Sequence, residues 1–303
     1  MKKFLLKVLL FFALVVVMDF AFGYVFSWLR INAKGGSTAN CEYIANRCED
    51  DIIIMGSSRA THHYIPQIIK DSLGMSSYNC GEEGNGIVLA YGRFKMLTNR
   101  YKPKLIIYEM TPGYDYGMEY PNTKYLGYLR PYYDVKGIKM LFDDFDDEFS
   151  FLKMKSKMYQ NTSKILPDIV DNIVYRDNNY GYAPLQGKIN RANKVLVEEK
   201  QKRIDNLKLS YLEKLMIEAK RDNIPIVFLM SPKYGVDSDS LSYEPEIALC
   251  EKYGIPYCNY LNYETIATVP SYFQDIGHMN NDGAVVYTQM LINEVLEDYL
   301  CIK

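Results

Sequence analysis

Asp51-Ile52-Ile53-Ile54-Met55-Gly56-Ser57-Ser58-Arg59-Ala60 is the stretch from which the fold is best predicted. Its apolar run, with three β-branched isoleucines, is typical of a strand buried on both faces. Gly56 ends the run, and glycine adopts backbone conformations closed to other residues. Ligands bind at the carboxyl ends of parallel strands, so the serines that follow suit a nucleophile. A β-turn with two turn-favouring serines is the alternative.

Strand and helix signals alternate along the chain after this stretch. Pro66 fits the first turn of a helix, which is predicted over residues 66–73. Further strands are predicted at 76–79, 104–109, 226–230 and 256–259, and further helices at 91–98, 195–220, 246–253 and 285–299. Repeats of this kind predict an α/β fold, a three-layer sandwich around a five-stranded parallel sheet with right-handed crossovers.

A candidate base and acid lie near the end of the chain, in Asp275-Ile276-Gly277-His278. A serine nucleophile needs a base, and the base needs an orienting acid. The chain contains 3 histidines, and His62 and His63 lie too close to Ser58 in sequence to be obvious partners. His278 has its own carboxylate three residues earlier, just before the predicted final helix.

The motifs, taken in order, resemble the SGNH/GDSL hydrolase superfamily. The matching blocks are Gly56-Ser57-Ser58, Asn79-Cys80-Gly81-Glu82-Glu83-Gly84 and Asp275-x-x-His278. The resemblance spans residues 51–284 and implies a flavodoxin-like SGNH fold with Ser58 as nucleophile, His278 as base and Asp275 as acid. It also implies an oxyanion hole formed by the backbone N–H groups of Ser58 and Gly84. No cofactor and no metal are expected.

Two blocks depart from the superfamily pattern. The first reads Gly-Ser-Ser instead of Gly-Asp-Ser, a form that resembles membrane-anchored branches linked to D-alanyl transfer and alginate acetylation. The third corresponds to Glu109-Met110-Thr111-Pro112-Gly113-Tyr114-Asp115 and lacks the asparagine that serves as an oxyanion donor in the superfamily. Either another donor replaces it or the hole is weaker, and loss of one such donor commonly costs about a hundredfold or more in rate.

Residues 1–30 are predicted to form a transmembrane signal anchor. The segment is long enough to span about 30 Å of hydrocarbon, and Lys2, Lys3 and Lys7 favour a cytoplasmic N-terminus. No small-residue cleavage site follows, so an uncleaved anchor is favoured over a cleaved signal peptide. Asp19 is costly in a lone membrane helix. We therefore expect a single-pass protein whose SGNH-type domain, residues 31–303, is extracytoplasmic, either periplasmic or at the cell surface.

Residues 111 to about 190 form a tyrosine-rich insertion in that domain, in which a helix is predicted over 143–165. Aromatic side chains near a site suit sugar or lipid surfaces. A plain insertion with tyrosines packed on each other is the alternative.

The six cysteines fit an oxidising compartment, where Cys41 and Cys48, or Cys250 and Cys258, would close small loops. Scattered buried thiols are the alternative, and the spacings do not resemble a zinc site.

Composition limits the classes of function. The chain has 303 residues and a formal net charge of −2 with no basic cluster, which gives no support for nucleic-acid binding.

From the motifs and the resemblance, we expect a serine esterase or O-acyltransferase that acts on ester-linked acyl groups of cell-surface or secreted glycans. A membrane-bound acyl donor protein is the expected partner. The alternative is a non-catalytic or weakly catalytic glycan-binding subunit of a polysaccharide modification or assembly complex.

Overall fold

The computed structural model describes residues 1–118, 123–189, 203–235 and 243–296. The chain divides into two compact units. The first comprises Met1–Arg47 and Asn122–Asn178, and the second comprises Cys48–Pro121 and Asn179–Lys303. All described strands and all candidate site residues lie in the second unit. The predicted boundary between anchor and catalytic domain at residue 30 stays a prediction.

Five parallel strands form one sheet in the order β2-β1-β3-β4-β5. They are β1 Ile52–Met55, β2 Ser77–Asn79, β3 Leu105–Glu109, β4 Ile226–Met230 and β5 Tyr257–Asn259. Strand β1 lies in the interior of the sheet, where Ile54 pairs with Asn79 on one side and with Ile107 on the other. This is the flavodoxin-like order, and it confirms the predicted fold class.

The helices are numbered in chain order across both units. They are α1 Lys2–Ile31, α2 Gly36–Asn46, α3 Ser58–His63, α4 Pro66–Leu73, α5 Ile87–Thr98, α6 Pro112–Asp115, α7 Thr123–Leu126, α8 Lys139–Phe145, α9 Ser150–Lys153, α10 Lys157–Asn161, α11 Ile165–Ile173, α12 Asn206–Arg221, α13 Glu244–Tyr253, α14 Glu264–Ala267 and α15 Asn281–Leu291. Short 3-10 turns lie at Arg130–Tyr132, Asn179–Gly181 and Pro270–Tyr272, and a π-helical turn at Ile292–Leu296 continues α15.

Helices cover both faces of the sheet. Alternate strand residues point to opposite faces. On one face, Ile52 and Ile54 belong to a buried apolar cluster with Leu291 of α15. On the other face, the rings of Tyr108 and Phe228 stack with centroids 4.9 Å apart. Helices α5 and α12 pack together through the rings of Tyr91 and Tyr211, 5.0 Å apart. The three predicted layers are therefore present.

Helix α1 is the feature of the first unit that matches a membrane segment. Its most apolar 18-residue window has a mean hydropathy of 2.5. Among the described helices it alone is long and apolar enough to cross a bilayer. A signal sequence near the N-terminus can have the same length and composition. The predicted apolar segment is thus a continuous helix, and its orientation in a membrane stays a prediction.

The prediction of one helix over residues 143–165 is wrong. The structure has four short helices, α8 to α11, over this region and its flanks. The side chain of Asp147 accepts a hydrogen bond from the Phe149 N–H (3.0 Å), and Ser156 accepts one from the Tyr159 N–H (3.0 Å). Short polar side chains that bind nearby backbone groups compete with a continuous helix in this way.

Other helices differ from prediction at their ends, and α5 and α13 begin earlier than predicted, at Ile87 and Glu244. Asp205 caps α12 by accepting hydrogen bonds from the N–H groups of Leu207 (3.0 Å) and Lys208 (3.2 Å), so residues 203–205 are not helical. The predicted part at 195–202 lies outside the described residues. The final helix begins at Asn281, and its predicted end at 297–299 also lies outside them.

The cysteines do not form the suggested disulfides. The five described cysteines, which are Cys41, Cys48, Cys80, Cys250 and Cys258, are not joined to one another by disulfides. Cys301 lies outside the described residues. Of the two alternatives that the spacing left open, the structure has the separate thiols.

Candidate active site

A tight turn at Gly56 joins β1 to α3. Gly56 has φ +139°, a conformation that favours glycine. A Cβ atom there would lie 2.7 Å from the Glu109 carbonyl oxygen, closer than packing allows. Ser57 follows the turn and Ser58 begins α3. The residue after the buried strand must therefore be glycine, and the turn places both serines at the carboxyl edge of the sheet.

The two serines have different surroundings. Ser57 is fully buried, and its hydroxyl donates a hydrogen bond to Thr111 Oγ1 (2.9 Å). Ser58 is half-buried, and its Oγ lies 2.8 Å from His278 Nε2. Ser58 is therefore the hydroxyl that faces a base, as the sequence predicts.

His278 links Ser58 to Asp275. Its Nδ1 lies 3.0 Å from both carboxylate oxygens of Asp275, which only accept hydrogen bonds. Nδ1 must then carry the proton, and the lone pair of Nε2 faces Ser58. The structure thus brings together two residues that are 220 positions apart. Their catalytic roles stay a prediction.

The Asp275 carboxylate is held in its charged form. Its Oδ1 also accepts hydrogen bonds from the N–H groups of Gly277 (2.8 Å) and His278 (2.9 Å). Burial alone would raise the pKa of Asp275, but the His278 ring and these backbone donors hold it below its usual value. Asp275 therefore orients the imidazole as a charged acceptor.

The loop that carries both residues is fixed at its two ends. Phe273 and Met279 form an antiparallel bridge across it, and the Gln274 N–H donates to the His278 carbonyl (3.0 Å). Asn280 caps α15 through the Gly283 N–H (3.0 Å), and its amide donates to the Ser271 carbonyl (2.7 Å). His278 is therefore presented by a closed loop at the start of α15.

The two predicted oxyanion donors lie in neighbouring turns. Gly84 has φ +64° in a turn closed by the Asn85 N–H and the Glu82 carbonyl (3.2 Å). The Glu82 N–H donates to the Gly56 carbonyl (3.2 Å), which ties this turn to the nucleophile turn. Within the described part of the chain, the N–H groups of Ser58 and Gly84 have no acceptor. Both are free to bind an anion.

A buried polar cluster, defined here as Arg59, His63, Glu109 and Ser231, was not predicted from the sequence. His63 Nε2 accepts a hydrogen bond from the Met279 N–H (2.9 Å), and His63 Nδ1 donates to Ser231 Oγ (2.7 Å). Ser231 Oγ donates to Glu109 Oε1 (2.8 Å). Arg59 pairs with the same carboxylate (2.7 Å). The cluster thus connects the ends of β3 and β4 to the residue that follows His278.

Burial controls the charges in this cluster. It raises the pKa of Glu109, although Arg59 and hydrogen bonds from Tyr64 and Ser231 oppose the rise. Burial, and next the positive charge of Arg59, lowers the pKa of His63 well below its usual value. A neutral His63 agrees with the hydrogen bonds, since Nε2 accepts from a backbone N–H. Two members of the cluster could have been found from the sequence by their positions at the carboxyl ends of predicted strands. Ser231 directly follows the strand at 226–230, and Glu109 ends the strand at 104–109.

His62 also lies beside the candidate base. Its ring centroid is 5.9 Å from that of His278, and its Nδ1 donates to the Ala183 carbonyl (2.6 Å). Its Nε2 lies 3.0 Å from the exposed carboxylate of Glu83. Burial lowers the pKa of His62 against the opposing effect of these two acceptors. No group of three or more potential metal ligands occurs in the described residues.

Comparisons with known proteins give similarity in structure only. No family model and no curated protein sequence matches the chain. A G-D-S-L family protein from Desulfitobacterium hafniense DCB-2 has a TM-score of 0.41 at 9% identity, with 79% of this chain and 96% of that chain covered. A GDSL-like lipase from Bacteroides thetaiotaomicron VPI-5482 has a TM-score of 0.40 at 11% identity, with coverage of 82% and 87%. An acetylxylan esterase from Geobacillus stearothermophilus has a TM-score of 0.41 at 10% identity, with coverage of 81% and 94%.

Proposed function

We propose that this chain is a membrane-anchored serine esterase or O-acyltransferase. The observation that carries the proposal is the Ser58–His278–Asp275 arrangement, with Oγ and Nε2 2.8 Å apart and Nδ1 on the carboxylate. A nucleophile and base within hydrogen-bond reach, with the base oriented by a third group, is the geometry that covalent catalysis requires. The arrangement lies at the carboxyl edge of the sheet, where a substrate can approach a half-buried hydroxyl.

The proposed reaction has two acyl-transfer steps. His278 Nε2 takes the Ser58 proton as Oγ attacks the ester carbonyl carbon, and the charge on the carbonyl oxygen is held by the N–H groups of Ser58 and Gly84. The tetrahedral species expels the alcohol, which receives the proton from His278, and leaves the acyl group on Ser58. Water, or a sugar hydroxyl, then attacks the acyl group while His278 again acts as base, and the bond to Ser58 Oγ breaks as Oγ takes that proton back from His278. Water makes the protein an esterase, and a sugar hydroxyl makes it an acyltransferase.

Thr111 is the proposed replacement for the missing asparagine donor. It lies in the segment that corresponds to the third block, just beyond β3, which is next to β1 in the sheet. Its Oγ1 accepts a hydrogen bond from Ser57, the neighbour of the nucleophile. Within the described residues, the Thr111 hydroxyl proton has no acceptor of its own. It is therefore available to a developing oxyanion.

The substrate class and location are the finer part of the proposal. The Gly-Ser-Ser form of the first block resembles membrane-anchored branches of the superfamily that modify cell-surface polysaccharides, which supports acyl groups on glycans as substrates. The apolar α1 and the basic residues before it support an anchor with the second unit outside the cytoplasm. A membrane-bound protein is the proposed acyl donor if the reaction is transfer.

A fluorophosphonate probe tests the proposal on the full chain. We expect Ser58 to be labelled, and we expect Ser58→Ala to abolish both labelling and hydrolysis of a short-chain aryl ester. Ser57→Ala is the matched control. It should still be labelled, because Ser57 is buried and its hydroxyl donates to Thr111 rather than to a base, although the labelling should be slower because Thr111 loses that hydrogen bond. Undiminished labelling of Ser58→Ala would disprove the assignment, and failure of the unmodified protein to be labelled would favour the non-catalytic, glycan-binding alternative.

A further inference from the structure

Helix α11 has its polar side inward and its apolar side outward. Asp168 and Asp171 are only 3% and 2% exposed, and they accept hydrogen bonds from the side-chain hydroxyl (2.8 Å) and the N–H (3.2 Å) of Thr38, respectively. On the outer side, Leu166 and Ile173 are 72% and 75% exposed. A helix at a water-facing surface has the opposite arrangement. The outer side of α11 is therefore suited to an apolar medium.

A second exposed apolar set lies before and at the start of α10. Its members, all between 40% and 55% exposed, are Phe149, Phe151, Leu152 and Met158. The chain alternates them with lysines at 153, 155 and 157. Apolar and aromatic side chains mixed with lysines are typical of segments that lie in a membrane interface, where the lysine heads reach water.

Helix α11 and helix α10, which holds Met158 of the second set, both pack directly on α1. Asp19, the acidic residue within α1, accepts hydrogen bonds from the Ser156 hydroxyl and from the N–H groups of Lys157 (2.9 Å) and Met158 (3.2 Å). It therefore caps α10. One turn further, a Cβ atom on Gly23 would lie 2.7 Å from Lys157 Cβ, so glycine permits this close approach.

Contacts continue to the end of α1. The Asn172 amide donates to the Leu29 carbonyl (2.6 Å), and Arg30 donates to Asn161 Oδ1 (3.3 Å) and forms an ion pair with Glu42. The half of α1 from Asp19 onward is thus part of a folded helical unit. Asp19, which the sequence marks as costly, has three partners.

The length of α1 places the contacts of Asp19 and Gly23 at the edge of the hydrocarbon. About 20 helical residues cross about 30 Å of hydrocarbon. Counted from Phe4, which follows Lys2 and Lys3, twenty residues end at Gly23. Asp19 and Gly23, together with the α10 residues that cover them, therefore fall where hydrocarbon meets the headgroups.

We propose that the segment Phe149–Met158 and α11 form an apolar collar that lies in the lipid interface where α1 leaves the membrane. This inference rests on the anchor in the proposed function and gives the insertion a partner, the bilayer itself. The continuity of the collar with α1 and the inverted polarity of α11 carry it. The collar would also fix how far the first unit stands from the bilayer.

Tryptophan fluorescence with brominated lipids tests the collar. The chain has one tryptophan, Trp28 in α1, so a Trp28→Phe background permits single probes. The full chain is placed at one copy per lipid nanodisc, and Ile173→Trp is compared with Ile217→Trp. Ile217 is the matched control because it is 43% exposed on α12 between charged residues at 213, 214, 220 and 221. Native Trp28 reports on the anchor.

We expect lipids brominated near the glycerol backbone to quench Ile173→Trp strongly and to leave Ile217→Trp unchanged, while aqueous acrylamide gives the reverse. Equal acrylamide quenching of both probes, with Trp28 still quenched by lipid, would overturn the collar and leave the anchor intact. A probe at 173 that neither quencher reaches would also overturn it, in favour of a protein occupant. If Trp28 itself is not quenched by lipid, the anchor in the proposed function is wrong.

Discussion

The carboxyl edge of the sheet holds two polar clusters that contain the same three kinds of group. In the first, called here the exposed cluster, His278 lies between Ser58 and Asp275, and all three reach solvent. The side chains of His278 and Asp275 are 30% and 56% exposed. In the buried polar cluster, Ser231 lies between His63 and Glu109, and all are fully buried. Only the first order lets a base take a proton from serine while an acid supports it.

The difference shows that the order of the groups, not their identity, separates a candidate for proton transfer from a structural network. Arg59 reinforces the difference, because its ion pair with Glu109 compensates that charge within the interior. The clusters are also connected. The Met279 N–H, directly after His278, donates to His63. We infer that the buried cluster positions the loop on which the exposed one depends.

The largest effect that separates the clusters is expected from the base. His278→Ala should lower kcat/KM for an aryl ester by about a thousandfold or more, because among the described residues only His278 lies within hydrogen-bond reach of Ser58 Oγ. Asp275→Asn should lower it by roughly ten- to a hundredfold, less than a buried acid would, since its side chain is half exposed and water partly substitutes. Steady-state kinetics on the full chain measure both.

Non-additivity supplies the control for this prediction. If Ser58, His278 and Asp275 act as one unit, adding Asp275→Asn to Ser58→Ala should cause no further loss. A multiplicative loss in the double variant would show that Asp275 acts elsewhere. Near-normal activity of His278→Ala would remove the triad and, with it, the contrast between the clusters.

The exposed cluster could be predicted from the sequence and the buried one could not. Ser58 follows an apolar run and a glycine, and Asp275 and His278 share one short motif, so local pattern is sufficient. The buried cluster joins side chains 122 to 172 residues apart through hydrogen bonds, which no local pattern encodes. The polarity of α11 was also beyond the sequence, because an apolar stripe is normally taken to face the protein. Its outward direction depends on Thr38, which binds Asp168 and Asp171.

A smaller effect is expected when the buried cluster loses its link to the loop. His63→Phe removes the acceptor of the Met279 N–H, and an unpaired buried donor costs about 1–3 kcal/mol. We expect kcat to fall about tenfold, the factor that corresponds to about 1.4 kcal/mol of misplacement, with KM little changed. His63→Gln, whose side-chain oxygen can reach the same N–H, should recover most of kcat.

Thr288→Val distinguishes positioning from stability. Thr288 is fully buried and is bound to the Ile65 N–H (3.1 Å) and the His63 carbonyl (3.3 Å). Its loss should lower the melting temperature as His63→Phe does, but without the fall in kcat. If both variants lower kcat equally, His63 is only structural and the proposed coupling of the clusters is wrong.

The smallest effect is the contribution of His63, in the buried cluster, to the pH dependence of stability. The pKa of His63 in the folded protein is well below its usual value, because the ring is buried and faces Arg59, His62, His278 and Lys233. As the pH falls through about 6.5, the unfolded chain takes up a proton at this histidine while the folded chain does not. The unfolded state then binds more protons, so the free energy of unfolding falls, by at most about 1.4 kcal/mol per pH unit for one group.

Asp115 acts in the opposite direction over part of this range, because burial raises its pKa to about 6 and its protonation favours the folded state. The total profile therefore mixes several groups, His62 and Glu109 among them, and the difference between the parent protein and His63→Gln isolates His63. We expect the destabilisation by His63→Gln, measured as a shift in melting temperature, to be smaller at pH 5.5 than at pH 7.5. Asp275 should not contribute over this range, since its pKa is lowered below its usual acidic value. An equal shift at both pH values would show that His63 is not held neutral, which would make the buried cluster more like the exposed one than the structure indicates.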